Sequence, residues 1–259
     1  MTTSDDWLTQ VTGRVDPGSD CLQLVMPLAQ GTKGGSGSFP ARCSDGQRWF
    51  VKPLNNCQGT PRVVINDFLV GRLGVLIGAP VCTVNVVWIG PDHVGWEFRP
   101  GHHLELGFAC ASREIPGVHE GGQLDHRQRD DNARRHVGIF ALYDWCWGND
   151  PQWLFDGADD EKTHSHDHGH YFPSGPSWTR ADLVASAAVP HPLGHPTNGL
   201  VKAEVERVAD RLEQISQAEI GAILRLLPSS WPVTDEELAG IGSFLAERAP
   251  AVSTRIRVL

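Results

Sequence analysis

The sequence predicts an α+β fold in which a sheet-rich first part precedes a mainly helical second part. Three observations carry this. Short runs of β-branched and aromatic residues, punctuated by Gly, Asp and Pro, dominate up to about residue 100. Apolar residues recur at helical spacing after about residue 126. Two Ser/Thr-x-x-Glu signatures then open new helices near the end. A sheet-rich part followed by a helical part suggests an α+β fold in two lobes, joined near residues 99–103.

In chain order, "CLQLVMP" reads as a short strand and "QGTKGGSGSFP" (30–40) as a Gly/Ser-rich loop. "ARCSDGQRWFVKP" reads as a hairpin turning at Asp45-Gly46. "GTPRVVINDFLVGRLGVLIG" reads as a helix, with Thr60 at the N-cap and Pro61 in the first helical position. Ile65, Phe68, Leu69, Leu73, Leu76 and Ile77 give that helix one inward face. "VCTVNVVWI" and "HVGWEFR" follow as strands. The character then changes, so the expected division is 1–102 and 103–259. "PGHHLELGFACASREIPGVHEGGQ" reads as loop, and "DHRQRDDNARRHVGIFALYDWCW" as a helix whose apolar second half is buried. Residues 173–199 read as an irregular excursion. Val201, Val205, Val208, Leu212 and Ile215 form a helical stripe, and capping boxes pair Ser216 with Glu219 and Thr234 with Glu237.

Composition narrows the function. The 259 residues can bury a full-sized core, and 40% hydrophobic with 20% charged residues is ordinary for a globular chain. A net charge of −9 disfavours non-specific nucleic-acid or anionic-membrane partners, so a bound anion needs local help from lysine, backbone amides or a metal. The polar amino terminus lacks an apolar signal core, and the six cysteines are scattered without paired spacing. A cytoplasmic protein is expected.

Several residues could carry chemistry. Gly34, Gly35, Ser36, Gly37 and Ser38 would let backbone amides approach a phosphate, although the stretch lacks a Walker ending and by itself better suits a plain flexible loop. Lys52 ends a strand, where it is either solvated or turned inward toward phosphate oxygens with a carboxylate beside it. Asp67 can supply that carboxylate, or can simply be an acidic group in a first helical turn. Asn149, Asp150 and Gln152 crowd the end of a buried helix, and Asp167 follows Asp150 by 17 positions. Phosphoryl transfer needs one carboxylate to orient the attacking hydroxyl and another to hold magnesium, and hard oxygen donors suit that ion. The competing readings are turn chemistry for "GND" and a local bond for Asp144.

"THSHDHGHYF" poses a different possibility. In an extended strand His164, His166, His168 and His170 would share one face, with Asp167 on the other. A zinc hydrolase built on His-x-His-x-Asp-His would need one more residue than this run contains.

Together, "GGSGSFPARCSDGQRWFVKP", "RVVINDFLVGRLGVLIGAPV", "YDWCWGNDPQWLF" and "HSHDHGHYF" resemble the compact HipA-like kinase family, from about residue 20 to the end. The resemblance implies a two-lobed protein-kinase-like fold, with an antiparallel sheet and one helix in the N-lobe and a mainly helical C-lobe. It implies ATP and Mg²⁺ as cofactors and a hydroxyl acceptor, on Ser/Thr of a protein or on a small molecule. Lys52 would contact the ATP phosphates beneath the Gly-rich loop, and Asp67 would stand where the family usually has glutamate. Asp150 would be catalytic and Asp167 would bind magnesium, with Asn149 and Gln152 as neighbouring oxygen donors. Phe155 occupies the position of a metal-binding asparagine, which keeps open a catalytically silent nucleotide binder.

Overall fold

The computed structural model describes residues 4–18, 21–31 and 35–259. It opens with a helix, α1 (Ser4–Val11), in a stretch that reads as merely polar. β1 (Leu22–Pro27), β2 (Phe39–Cys43) and β3 (Arg48–Lys52) follow, then α2 (Arg62–Ile77) and β4 (Val84–Ile89). A small ladder of β5 (Glu97–Arg99) and β6 (His102–His103) precedes β7 (Gly107–Arg113) and β8 (Val118–Gly121). Next come α3 (Asn132–Trp145), β9 (Trp153–Asp156) and β10 (Lys162–Ser165). The rest is helical: α4 (Arg180–Ser186), α5 (Lys202–Gln214), α6 (Gln217–Leu224) and α7 (Asp235–Ile256).

The β2–β3 hairpin turns at Asp45-Gly46 as expected. Gly46 sits at φ +75°, and Asp45 Oδ1 accepts the Gln47 N–H at 2.9 Å. The sheet departs from expectation in being closed, in the order β1-β2-β3-β7-β4. Its closing pair is parallel, with Leu22 opposite Val87 and Gln23 opposite Trp88, so the sheet is not purely antiparallel. Closure removes a free edge and lets inward residues from every strand share one interior. Leu24, Phe39, Ala41, Val51, Val87 and Ala109 fill it.

Packing does not follow the expected boundary at residue 102. β7 lies beyond it yet pairs with both β3 and β4. The segment reads as loop because Ala109, Cys110 and Ala111 are small, and it pairs as strand because all three are buried. α1 joins the helical part: Trp7, 1% exposed, lies against Gly242 of α7, where a Cβ would come within 2.4 Å of its ring. α2 belongs to the same larger core through Ile65, Phe68, Leu69 and Leu73.

α2 begins at Arg62 with Pro61 at its N-cap and no side-chain cap, one residue later than the Thr60 cap expected from sequence. Both expected capping boxes form, at Ser216/Glu219 and Thr234/Glu237, and Thr179/Asp182 adds a third. Asp144 makes a long-range pair rather than a local bond, with Arg248 at 2.8 Å and Arg255 at 2.6 Å. No described helix is long and apolar enough to cross a membrane.

Candidate functional site

Lys52 closes β3 with its ammonium turned inward, 5% exposed. Its Nζ donates to Asp67 Oδ2 at 2.7 Å and to Asp167 Oδ1 at 2.8 Å. A barrel strand, a helix and the turn after β10 thus meet at one nitrogen. Burial alone would push the ammonium's pKa down, but the two carboxylates outweigh that and raise it, so Lys52 stays charged. Among the described residues two of its three N–H donors are used, which leaves one for a further anion.

The two aspartates differ in what remains open. Asp67 is saturated: Oδ2 takes Lys52 and Oδ1 accepts the His168 backbone N–H at 2.9 Å. It sits in the second turn of α2, so its position is owed to Lys52 rather than to the helix end. The Asp167 side chain is 34% exposed against 7% for Asp67. Among the described residues none donates to Asp167 Oδ2, so that oxygen is the one available to a ligand. The charge of Lys52 holds the Asp167 carboxyl down to about 2, with burial opposing. One ammonium against two carboxylates leaves an uncompensated negative charge. A divalent cation with a preference for hard oxygen fits that donor set.

α2 also shapes the turn that carries Asp167, through a residue that sequence reasoning passed over. Asn66 is fully buried, and its Nδ2 donates to the Gly169 and Tyr171 carbonyls, both at 3.0 Å. Its Oδ1 accepts from Trp178 Nε1 at 3.0 Å. Gly169 packs so closely on the helix that a Cβ there would lie 2.6 Å from Val63 Cγ1. The signal for Asn66 was a buried amide beside the helix carboxylate, but its partners lie about a hundred residues away. Substituting Asn66 by alanine should leave buried carbonyls and an indole N–H unpaired and destabilise the protein by on the order of 3 kcal/mol, read by urea denaturation.

The four histidines do not line one face. Only His164 lies in β10; Asp167 adopts φ +50°, and residues 168–170 form a single 3₁₀ turn. His168 is buried, contacts Ser165 Oγ at 2.8 Å through Nε2, and has its pKa lowered by burial to about 4. His170 Nε2 lies 3.2 Å from Gln58 Nε2. Among the described residues these imidazoles form no convergent metal-ligand group, which removes the basis of the zinc-hydrolase alternative.

Asp150 is exposed and at φ +51°, and its Oδ2 accepts from Gln152 Nε2 at 2.9 Å. Asn149 points its Nδ2 at the carbonyls of Trp147 (3.3 Å), His170 (3.1 Å) and Phe172 (3.3 Å), which ties the 149–150 turn to the turn bearing Asp167. With its nitrogen so engaged, its carbonyl oxygen is the end left to act as an acceptor. Phe155 is buried in β9, 2% exposed, and offers no ligand.

Of the Gly-rich residues, Gly34 lies outside the described set. Gly35 is exposed, with Gln58 Nε2 2.6 Å from where a Cβ would sit. Gly37 adopts φ +71° and lies against Cys57, 2.4 Å from a hypothetical Cβ, so both conformation and space require glycine. Ser36 is buried and its carbonyl accepts the Cys57 N–H at 3.2 Å, while Ser38 is half-buried.

Nearby, His136 of α3 is fully buried and must be neutral. Arg127 Nε donates to its Nδ1 at 3.2 Å, so Nε2 carries the proton and donates to Thr163 Oγ1 at 3.1 Å. Burial, then the Arg127 charge, lowers its pKa from 6.5 to about 3. The unfolded chain therefore takes up this proton first. The stability owed to the neutral ring is complete above about pH 6.5 and is lost as pH falls toward 3, by on the order of 1.4 kcal/mol per unit. Chemical denaturation between pH 7 and 4 should show that slope, and His136→Gln should flatten it.

A strand lysine clasped by a helix carboxylate and by a second carboxylate from a later turn is an arrangement that kinases use. A solved structure shares the fold. The chain superposes on the crystal structure of a Helicobacter pylori proinflammatory kinase, CtkA, with a TM-score of 0.58 and 10% identity, over 94% of this chain and 98% of that one. A HipA toxin solved with HipB and operator DNA, from Shewanella oneidensis MR-1, is similar at 12% identity over 100% of this chain and 73% of that one, with a TM-score of only 0.38. At 10% identity the likeness to CtkA shows a shared fold. No family model and no curated protein matches the sequence.

Proposed function

We propose that the protein is a phosphotransferase that uses ATP and Mg²⁺ to phosphorylate a hydroxyl, most simply a Ser or Thr of another protein. The observation that carries this is the contact of Lys52 with Asp67 and Asp167 at 2.7 and 2.8 Å. The barrel and the helical part then act as two lobes around a shared triphosphate. Lys52 holds a phosphate oxygen with its remaining N–H, Asp67 fixes the ammonium, and the open oxygen of Asp167 serves as the metal ligand. Asn149 and Gln152 are the candidate neighbouring oxygen donors. When bound, the metal would neutralise charge on the β- and γ-phosphates. Asp150, exposed on its turn, orients the acceptor hydroxyl and takes its proton. Gly35, Ser36, Gly37 and Ser38, with Gly34, cover the phosphates.

Purified protein incubated with labelled ATP, magnesium and lysate tests this reading directly, through transfer of label to a protein band. One observation favours a second reading, a nucleotide binder without transfer: buried Phe155 stands at the expected metal-binding asparagine. Nucleotide-induced thermal stabilisation with no labelled product would select it.

A further inference from the structure

Away from the Lys52 cluster, His119, His126 and Glu161 turn their ligand atoms toward one another, all within 4.8 Å. Glu161 Oε2 lies 3.6 Å from His119 Nε2 and 4.0 Å from His126 Nε2. Both separations exceed a hydrogen bond. That oxygen is buried and has no hydrogen-bond partner, and among the described residues no lysine or arginine pairs with Glu161. A buried carboxylate oxygen left unpaired between two imidazole nitrogens is costly unless something supplies positive charge.

The surroundings hold this arrangement in place. His126 and Glu161 both adopt left-handed backbone, φ +58° and +60°, a conformation that costs energy in residues of this size. One buried side chain fixes both: Asn132 Nδ2 donates to the His126 carbonyl at 3.0 Å and to the Glu161 carbonyl at 2.8 Å. Its Oδ1 accepts the Thr163 N–H at 2.9 Å, which registers the pair against β10. His119 comes from β8, directly opposite Phe155 of β9. The Phe155 ring forms a floor under both imidazoles, with centroids 5.4 Å from His119 and 4.9 Å from His126. Phe155 thus has a packing role of its own, and it is the residue that replaces the asparagine expected from the family resemblance.

We infer that His119, His126 and Glu161 form a binding site for a zinc-class divalent cation, clipping β8 and the segment before α3 to the β9–β10 turn. Two neutral imidazoles and one carboxylate are a borderline-soft set that favours Zn²⁺ or Co²⁺ over Mg²⁺ or Ca²⁺. Tetrahedral zinc bonds of about 2.1 Å would set the ligand atoms about 3.4 Å apart. The present 3.6 and 4.0 Å approach that, and side-chain rotation of the half-exposed imidazoles can close the difference. Three protein ligands leave room for water. The site does not depend on the phosphotransfer reading, although β10 runs directly into Asp167.

Chelator-treated full-length protein titrated with Co²⁺ should develop visible d–d absorption saturating at one equivalent, without the thiolate charge-transfer band that cysteine ligation would give. Zinc should displace the cobalt and raise the melting temperature. Glu161→Gln, His119→Gln and His126→Asn should each weaken binding at least tenfold. The asparagine is chosen because it tolerates the left-handed backbone, and matching far-UV spectra of the metal-free variants report that each is folded. Cys21→Ser/Cys57→Ser should bind as the wild type does. Absence of saturable cobalt binding by folded wild-type protein, or wild-type affinity in all three ligand variants, overturns the site.

Discussion

Asp167→Asn should lower phosphate transfer from labelled ATP by about 10²–10³-fold while the protein remains folded. The substitution keeps the size of the side chain and removes the charge of the Lys52-bound carboxylate that has an oxygen left open. Lys52 retains Asp67 at 2.7 Å, so the buried ammonium is not stranded. Nucleotide-induced thermal stabilisation should survive in the absence of magnesium and lose its magnesium-dependent part. Wild-type turnover in this variant would remove Asp167 from the metal role. The same titration on the wild-type protein separates a working enzyme from a silent binder, because only the former yields product along with stabilisation.

Lys52→Met should have the larger effect on stability. It removes the one partner that Asp67 Oδ2 has among the described residues and leaves a buried carboxylate facing Asp167 with no cation between them. Breaking a buried ion pair on one side costs about 3–5 kcal/mol, chiefly from the charge left behind. For a chain of this length that corresponds to a fall in melting temperature on the order of 10 °C. Adding Asp67→Asn should restore much of the loss, since it removes the stranded charge and keeps an acceptor for the His168 N–H. Phosphate transfer should remain absent in the double variant. Rescue of stability without rescue of activity distinguishes a phosphate-holding lysine from a purely structural one. Losses that simply add in the double variant would contradict the coupling.

How much of this was legible in the sequence varies by element. The β2–β3 hairpin was, because Asp45-Gly46 encodes its turn within four residues. The capping boxes at Ser216 and Thr234 were, because each box is a bond between residues three apart. α1 was not: its eight residues carry little apolar signal, and Trp7 counts only because Gly242 leaves space for it. β7 was not, since "FACAS" has weak strand composition and becomes a strand by pairing with both β3 and β4.

In the candidate site, Lys52, Asp67 and Asp167 could be named because their order along the chain is informative even before their positions are known. Their convergence was expected from that order, and the structure shows it at 2.7 and 2.8 Å. For Asp67 the sequence left two readings, a partner for Lys52 or a helix-end acid, and the structure shows the former. The histidines around Asp167 looked like one row and proved to be dispersed by a left-handed turn.

The sequence alone therefore determined the strand-then-helix order, the local turns and caps, and which charged residues were candidates for one site. Those features depend on dihedral preferences and hydrogen bonds that span a few residues. Only the tertiary structure decided that the sheet closes on itself, that Asn66 and Asp67 hold a turn about a hundred positions away, and that His119, His126 and Glu161 converge. Such choices depend on burial: which polar groups lose water together, and so must satisfy one another, is set by packing between distant segments and leaves no short-range mark in the chain.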